Sequence, residues 1–282
     1  MATMEYIVMP TDFGLRKIAD KFAETAGNLR NGSIAALKIA ARIRSLHYAF
    51  REARSAREMF INSYDFDPRL FESARAESPY RKSVIILQGF LARVDYYNQL
   101  LVYFHNHGIP VIFPQNLVRN NISWSESDKI VSDTIKRTAD ETGLAPDLIC
   151  HSRGCLDGLR VLSKHPGIDN IFTVAPPFWG LSYNFLAMYM QFWYKDPGTP
   201  IDPDILKDPD ILQKVINIFS TRDRIVTPEE AKLVGVRREI VIDEADFRNH
   251  PNDARWNTHT GLPLYVRRRI LRELYQTTTK AA

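Results

Sequence analysis

The 282-residue sequence predicts an α/β fold with a mainly parallel sheet of about six strands and helices on both faces. Three observations predict it. From Ser83 onward, short β-branched runs alternate with helical patterns, the signature of successive strand–helix units whose strands are buried on both faces. The helical patterns carry their own start and stop signals. The composition, 45% hydrophobic and 25% charged, is that of a globular chain long enough to bury roughly three quarters of its unfolded surface. It excludes a disordered chain, a collagen and a coiled coil.

Residues 1–78 read as an N-terminal helical extension and residues 79–282 as the main domain. Phe13 to Phe60 is rich in Ala, Arg and Lys, with Ile34, Leu37, Ala41 and Ile43 at helical spacing, so two helices broken near Asn31-Gly32 are expected. They either pack on the main domain with their basic residues toward water or form a basic arm for a membrane surface or partner. Both readings stay open.

The expected strands are Val84–Gln88, Pro110–Phe113, Leu148–His151, Ile171–Ala175, Val215–Phe219 and Glu239–Ile242. Between them, Arg93–His107 ends at Gly108. Ser125–Thr142 opens on Ser123 and Glu126 as a capping box and closes at Gly143, while Arg153–His165 stops before Pro166-Gly167. A last helix spans Leu264–Tyr275. One stretch, about residues 180–213, breaks the alternation with a Met- and aromatic-rich patch and then a Pro/Asp-rich loop. Such an insertion lies over the carboxyl ends of the strands, where open α/β sheets bind ligands, and so reads as a lid.

Thirty-seven Lys and Arg against thirty-three Asp and Glu leave a net charge of +4, too mild to indicate a nucleic-acid partner. No window approaches the ~18 apolar residues of a membrane helix. The first residues carry Glu5 and Asp12 and lack a basic segment followed by an apolar one, so a cytoplasmic address is expected. Cys150 and Cys155 fit neither a disulfide framework nor a zinc site. No metal and no cofactor are expected.

The chemistry centres on Cys150-His151-Ser152-Arg153-Gly154, between an expected strand and an expected helix. In that context the pattern reads as a nucleophile elbow, a tight turn that lifts the serine hydroxyl above the sheet and requires small residues two before and two after. A serine hydroxyl attacks at neutral pH only with a base to take its proton and a third group to orient that base. Asp223 follows the strand Val215–Phe219, on the side of the sheet where Ser152 stands, and is the candidate orienter. His259, in the loop before the last helix, is the candidate base, with His250 as its alternative. The histidines at 47, 105, 107, 151 and 165 are expected to pack or cap. Two backbone N–H groups would serve an oxyanion, those of Arg153 and of Phe90 in the Gly-containing turn after the first strand.

Leu87-Gln88-Gly89-Phe90-Leu91, His151-Ser152-Arg153-Gly154, Ala175-Pro176-Pro177-Phe178-Trp179-Gly180, Ser220-Thr221-Arg222-Asp223-Arg224-Ile225-Val226 and Thr258-His259-Thr260-Gly261-Leu262-Pro263 resemble, in this order, the landmarks of bacterial lipase-like and esterase-like α/β-hydrolases. The resemblance covers about residues 83–275 and implies the α/β-hydrolase fold. It further implies Ser152, Asp223 and His259 as nucleophile, orienter and base, with Phe90 and Arg153 at the oxyanion hole. Gln88, Cys150 and Cys155 depart from the family pattern.

The expected activity is hydrolysis of a carboxylic ester through an acyl-enzyme. A hydrophobic acyl group would lie against Phe178, Trp179, Phe185, Tyr189 and Trp193, and the substrate would be a small or lipid-like ester. Acyl transfer or thioester hydrolysis use the same constellation and stay open. So does a non-catalytic binding protein of this fold, with peripheral membrane contact through residues 1–78.

Overall fold

The computed structural model describes residues 82–90, 92, 94–117, 120, 122–180, 201–249 and 258–279. The expected extension over residues 1–78, the part of the insertion holding Phe185, Tyr189 and Trp193, and His250 lie outside the described residues.

In chain order the elements are β1 (Val84–Leu87), α1 (Asn98–His105), β2 (Val111–Ile112), α2 (Trp124–Thr142), β3 (Asp147–His151), α3 (Arg153–Leu162), β4 (Ile171–Val174), α4 (Pro209–Leu212), β5 (Val215–Ser220), α5 (Pro228–Ala231), β6 (Arg238–Ile242), α6 (Glu244–Asn249) and α7 (Leu262–Thr279). The six strands form one sheet in the order β2-β1-β3-β4-β5-β6. Every pairing is parallel. All six expected strands are present, with edges shifted by a residue or so.

Alternation along the strands feeds two cores, because successive side chains leave opposite faces. Val84, Ile86 and Ile149 pack with Leu100, Leu101 and Phe104 of α1 and with Val266, Ile270 and Leu274 of α7. Ile85, Leu87, Leu148 and Cys150 pack on the other face with Val131 and Ile135 of α2 and Leu156 and Leu159 of α3. The chain therefore leaves β1 toward one face and β3, its neighbour, toward the other. That reversal opens a crevice at the carboxyl ends of β1 and β3.

Local signals set the helix ends. Ser123 Oγ accepts from Glu126 N–H at 3.3 Å at the start of α2, and Gly143, at φ 73°, ends it by donating to the Ala139 carbonyl. The helix expected over Arg93–His107 is shorter. A 3-10 turn covers Val94–Tyr97 before α1 begins, and Tyr97 in that turn is buried and hydrogen-bonded to other parts of the chain. Residues 205–212 are not the loop expected there. They form a 3-10 turn over Ile205–Lys207 and then α4, capped by Asp208 Oδ1 on Asp210 N–H at 2.9 Å. Ile201, Leu206, Ile211 and Leu212 are buried in the α2–α3 core, and that burial organises a stretch too polar to show helical periodicity. Among the described residues no helix is long and apolar enough to cross a membrane.

Candidate active site

Ser152 occupies the turn between β3 and α3 with φ 52° and ψ −122°. A non-glycine residue there costs on the order of 1–3 kcal/mol and persists only where its surroundings hold it. Ser152 N–H donates to the Val174 carbonyl at 2.9 Å, and the Ser152 carbonyl accepts from Cys155 N–H at 3.0 Å. Gly154 is obligatory by contact, since a Cβ there would run into the Leu87 carbonyl. The room for Cys150, which stands where the family has glycine, comes from Gly158. A Cβ at Gly158 would lie 2.7 Å from Cys150 Sγ. Burial pushes the Cys150 and Cys155 thiols well up, so both are inert as nucleophiles at neutral pH.

Asp223 and His259 come together across 36 residues of sequence. His259 Nδ1 lies 2.7 Å from Asp223 Oδ2, and both residues are buried. Asp223 Oδ1 accepts from the N–H groups of Ile225 at 2.8 Å and Val226 at 3.1 Å, which fixes the carboxylate. Because a carboxylate accepts, Nδ1 of His259 carries a hydrogen, so that in the neutral ring the lone pair is on Nε2. The turn bearing His259 meets the turn bearing Ser152 through His151, whose Nε2 lies 3.0 Å from the His259 carbonyl oxygen. The two imidazole centroids are 5.0 Å apart. Hydrogen bonds tie His259 to Asp223 through its ring and to His151 through its carbonyl.

The turn after β1 is held from two sides. Gly89 N–H donates to Tyr97 Oη at 3.0 Å, and Tyr97 Oη lies 2.8 Å from His151 Nδ1. Phe90 is half-buried in the turn that Ala92 N–H closes on the Gly89 carbonyl at 3.2 Å. On the other side, Asn120, at φ 44°, donates through Nδ2 to the Gln88 carbonyl and to Asp157 Oδ2, both at 2.7 Å. Gln88 Nε2 donates to the carbonyls of Ala92 at 3.2 Å and of Leu117. Gln88, a departure from the family pattern, thus ties its own loop to the next one.

Arg153 contributes a backbone N–H at the first position of α3, where helix donors lack intrahelical partners. Its guanidinium is buried beneath, donating to the carbonyls of Asn120 at 2.8 Å and Ile122 at 2.7 Å. It lies 4.2 Å over the Trp124 ring and 3.8 Å from Asp157. Asp157 also accepts from Ser127 Oγ at 2.7 Å. Burial raises its carboxyl, an effect that Arg153 and the two hydrogen bonds oppose. Phe178 is 3% exposed within the α2–α3 core, whereas Trp179 is 56% exposed with its ring N–H on the Lys232 carbonyl at 2.8 Å.

Sequence reasoning assigned His151 to packing and passed over Tyr97, Asn120 and Asp157. The structure makes all four polar partners of the site's loops. No local pattern carries that signal, because each partner is remote in sequence.

No family model matches the chain, and no curated protein matches it in sequence. Solved structures match its fold. Aspergillus fumigatus lipase B aligns with a TM-score of 0.51 at 16% identity, over 71% of this chain and 55% of lipase B, so the chain spans about half of that protein. The mature form of Bacillus licheniformis lipase BlEst2 aligns with a TM-score of 0.49 at 12% identity, over 66% and 88%. Paleococcus ferrophilus monoacylglycerol lipase aligns at 0.43 and 17% identity, over 67% and 96%. Lipase B carries the fold assignment at this identity, and the chain has the α/β-hydrolase fold that the sequence resemblance implies.

Proposed function

We propose that the chain is a serine hydrolase of carboxylic esters, with Ser152 as nucleophile, His259 as general base and Asp223 as its orienter. The observation that carries this reading is a serine at φ 52° on a strand-to-helix turn at the same end of the sheet as a buried His259–Asp223 pair at 2.7 Å. Strain of that kind clusters where a side chain must be presented, and a carboxylate on Nδ1 leaves Nε2 to take a proton. The name of the solved structure that carries the fold assignment, a lipase, agrees with it.

In this mechanism Ser152 Oγ attacks the ester carbonyl carbon while His259 Nε2 accepts the hydroxyl proton. The carbonyl oxygen becomes an oxyanion and accepts from the N–H groups of Phe90 and Arg153. Collapse breaks the bond to the alcohol oxygen, which leaves with the proton from Nε2. Water, giving its proton to the same nitrogen, then releases the acid and restores Ser152. Asp223 keeps the imidazole in one tautomer and stabilises the imidazolium between the two proton transfers. A hydrophobic acyl group is the proposed cargo, supported by exposed Trp179 and by Phe185, Tyr189 and Trp193 in the aromatic sequence that follows.

The test is covalent labelling by a fluorophosphonate, with the modified peptide read by mass spectrometry. Modification of Ser152, lost in Ser152→Ala and His259→Ala, is the expected outcome, together with a fall in kcat of about 10⁴ to 10⁶ for Ser152→Ala. Labelling elsewhere, or turnover like that of the parent in folded Ser152→Ala, overturns the reading.

A further inference from the structure

We propose that Tyr97 and His151 are positioning residues, a buried hydrogen-bonded brace that locks the turn after β1 to the main chain of His259. The inference rests on the ester-hydrolase reading above, in which that turn supplies the Phe90 N–H and His259 is the base.

The brace has a defined direction. The His259 carbonyl oxygen can only accept, so His151 Nε2, 3.0 Å away, carries the hydrogen. His151 is buried, which disfavours its charged form, and neighbouring His259 disfavours it further, so its proton affinity is held well below the ordinary value. With one proton on the ring, Nδ1 is bare and accepts from Tyr97 Oη at 2.8 Å. The same phenolic oxygen accepts from Gly89 N–H at 3.0 Å. Every hydrogen therefore runs one way, from Gly89 through Tyr97 and His151 to His259. Burial pushes the Tyr97 phenol far up, which keeps its hydrogen in place at all working pH values.

Two consequences follow for the reaction. The oxyanion turn and the base cannot shift independently over Ser152, and catalysis is sensitive to misplacements of an ångström or less. A neutral ring 5.0 Å from the His259 ring also leaves room for a single positive charge, the imidazolium formed when His259 takes the serine proton. A charged His151 would oppose it. Burial and the neighbouring His259 ring keep His151 neutral, Tyr97 occupies the lone pair of Nδ1, and the His259 carbonyl fixes the remaining hydrogen on Nε2.

The experiment compares the full chain with Tyr97→Phe, His151→Gln and His151→Asn. A glutamine retains a donor near the position of Nε2, and an asparagine retains an acceptor near that of Nδ1. Steady-state hydrolysis of p-nitrophenyl butyrate is measured beside the downfield proton resonance of His259 Nδ1–H, assigned by its loss in His259→Ala. Thermal unfolding checks that each variant is folded. In Tyr97→Phe kcat falls about tenfold with KM within about twofold, the size of one positioning hydrogen bond. His151→Asn loses more, and the His259 resonance moves in both. His151→Gln, which keeps the donor to the His259 carbonyl, leaves that resonance closer to its parental position. Unchanged kcat in the folded variants, a loss confined to KM, or an unmoved resonance overturns the brace. If the parent neither hydrolyses the ester nor labels at Ser152, the ester-hydrolase reading falls, and the resonance alone decides the brace.

Discussion

Ser152 departs from ordinary backbone geometry, and what surrounds it shows how one residue's conformation is held by others. Its φ of 52° is sustained by hydrogen bonds to Val174 and Cys155, and its neighbours are small where the turn crowds them. The Asp223 carboxylate is held by two backbone N–H groups on one oxygen and by His259 on the other. Asp223→Asn retains the shape but places an amide where an acceptor is required, favouring the wrong tautomer of His259. It lowers kcat by about 10⁴ with little loss of stability, as single-turnover acylation and thermal unfolding will show. Cys150 and Gly158 form a second coupled pair. Gly158→Ala brings a methyl to 2.7 Å from Cys150 Sγ and 2.8 Å from Ile171 Cδ1, an overpacking that costs about 1–3 kcal/mol. Cys150→Gly costs less in the Gly158→Ala background than in the parent, a coupling that urea unfolding of the four chains measures directly. Strict additivity would mean that the Cys150 side chain does not depend on Gly158 for its space.

Between elements, α2 and α3 are joined by charge as well as by apolar packing. Arg160 grips Asp128 of α2 through two hydrogen bonds of 2.9 Å. Arg153 covers the Trp124 ring at the start of α2, reaches Asp157 one turn along α3, and donates to the loop that precedes α2. A buried ion pair of this kind contributes little compared with an apolar replacement of both partners, but removal of one partner strands the other. Arg153→Met therefore costs about 3–5 kcal/mol in chemical denaturation, because Asp157 loses its cation and two carbonyls lose their donors. Arg153→Met with Asp157→Leu recovers most of that loss. The N–H of residue 153 remains in every one of these chains, so an activity loss that persists in a restabilised double variant reports movement of the Asn120 loop against Gln88.

The whole molecule responds to pH through groups buried at the junction of its loops. His151 is held well below its ordinary value near 6.5, chiefly by burial and then by His259. The unfolded chain takes up that proton near 6.5 and the folded chain does not, so the stability His151 contributes is complete above that pH and is lost as pH falls below it. One such group changes stability by at most about 1.4 kcal/mol per pH unit. Asp157 acts in the opposite sense. Its raised carboxyl makes the folded chain the better proton binder above the ordinary value of 3.8, so its contribution is lost as pH rises through the raised value. Thermal midpoints between pH 7 and 5 separate the two, because Asp157 is common to the parent and His151→Gln. The midpoint of the parent falls more steeply on acidification than that of the variant, and parallel curves would mean that His151 titrates normally.

The fold and the ends of the site were legible in the sequence because their signals are local. A strand buried on both faces reads as a near-continuous apolar run, so β1, β3, β4 and β5 stood out, while the edge strand β6 showed in the alternation of exposed Arg238, Glu239 and Val241 with buried Ile240 and Ile242. The caps Ser123 and Gly143 act within a turn of their helix, and the small residue at 154 is demanded by the turn it occupies. The loops bearing Ser152, Asp223 and His259 follow from chain order, since successive parallel strands bring their carboxyl ends to one side. Helices α4, α5 and α6 were not legible. Each is too short to repeat an apolar position: burial of Ile211 and Leu212 decides α4, the Thr227–Glu230 capping box decides α5, and Asp243 capping the N–H groups of Ala245 and Asp246 decides α6. Nor was the brace from Gly89 through Tyr97 and His151 to His259, or the Gln88–Asn120–Asp157 network. A hydrogen bond between residues far apart in the chain leaves no spacing in the sequence. The sequence by itself determined the layers, the strand–helix alternation and the triad candidates. Only the tertiary structure decided which polar groups face one another, because that depends on loops meeting in a low-dielectric interior where each donor must find its acceptor.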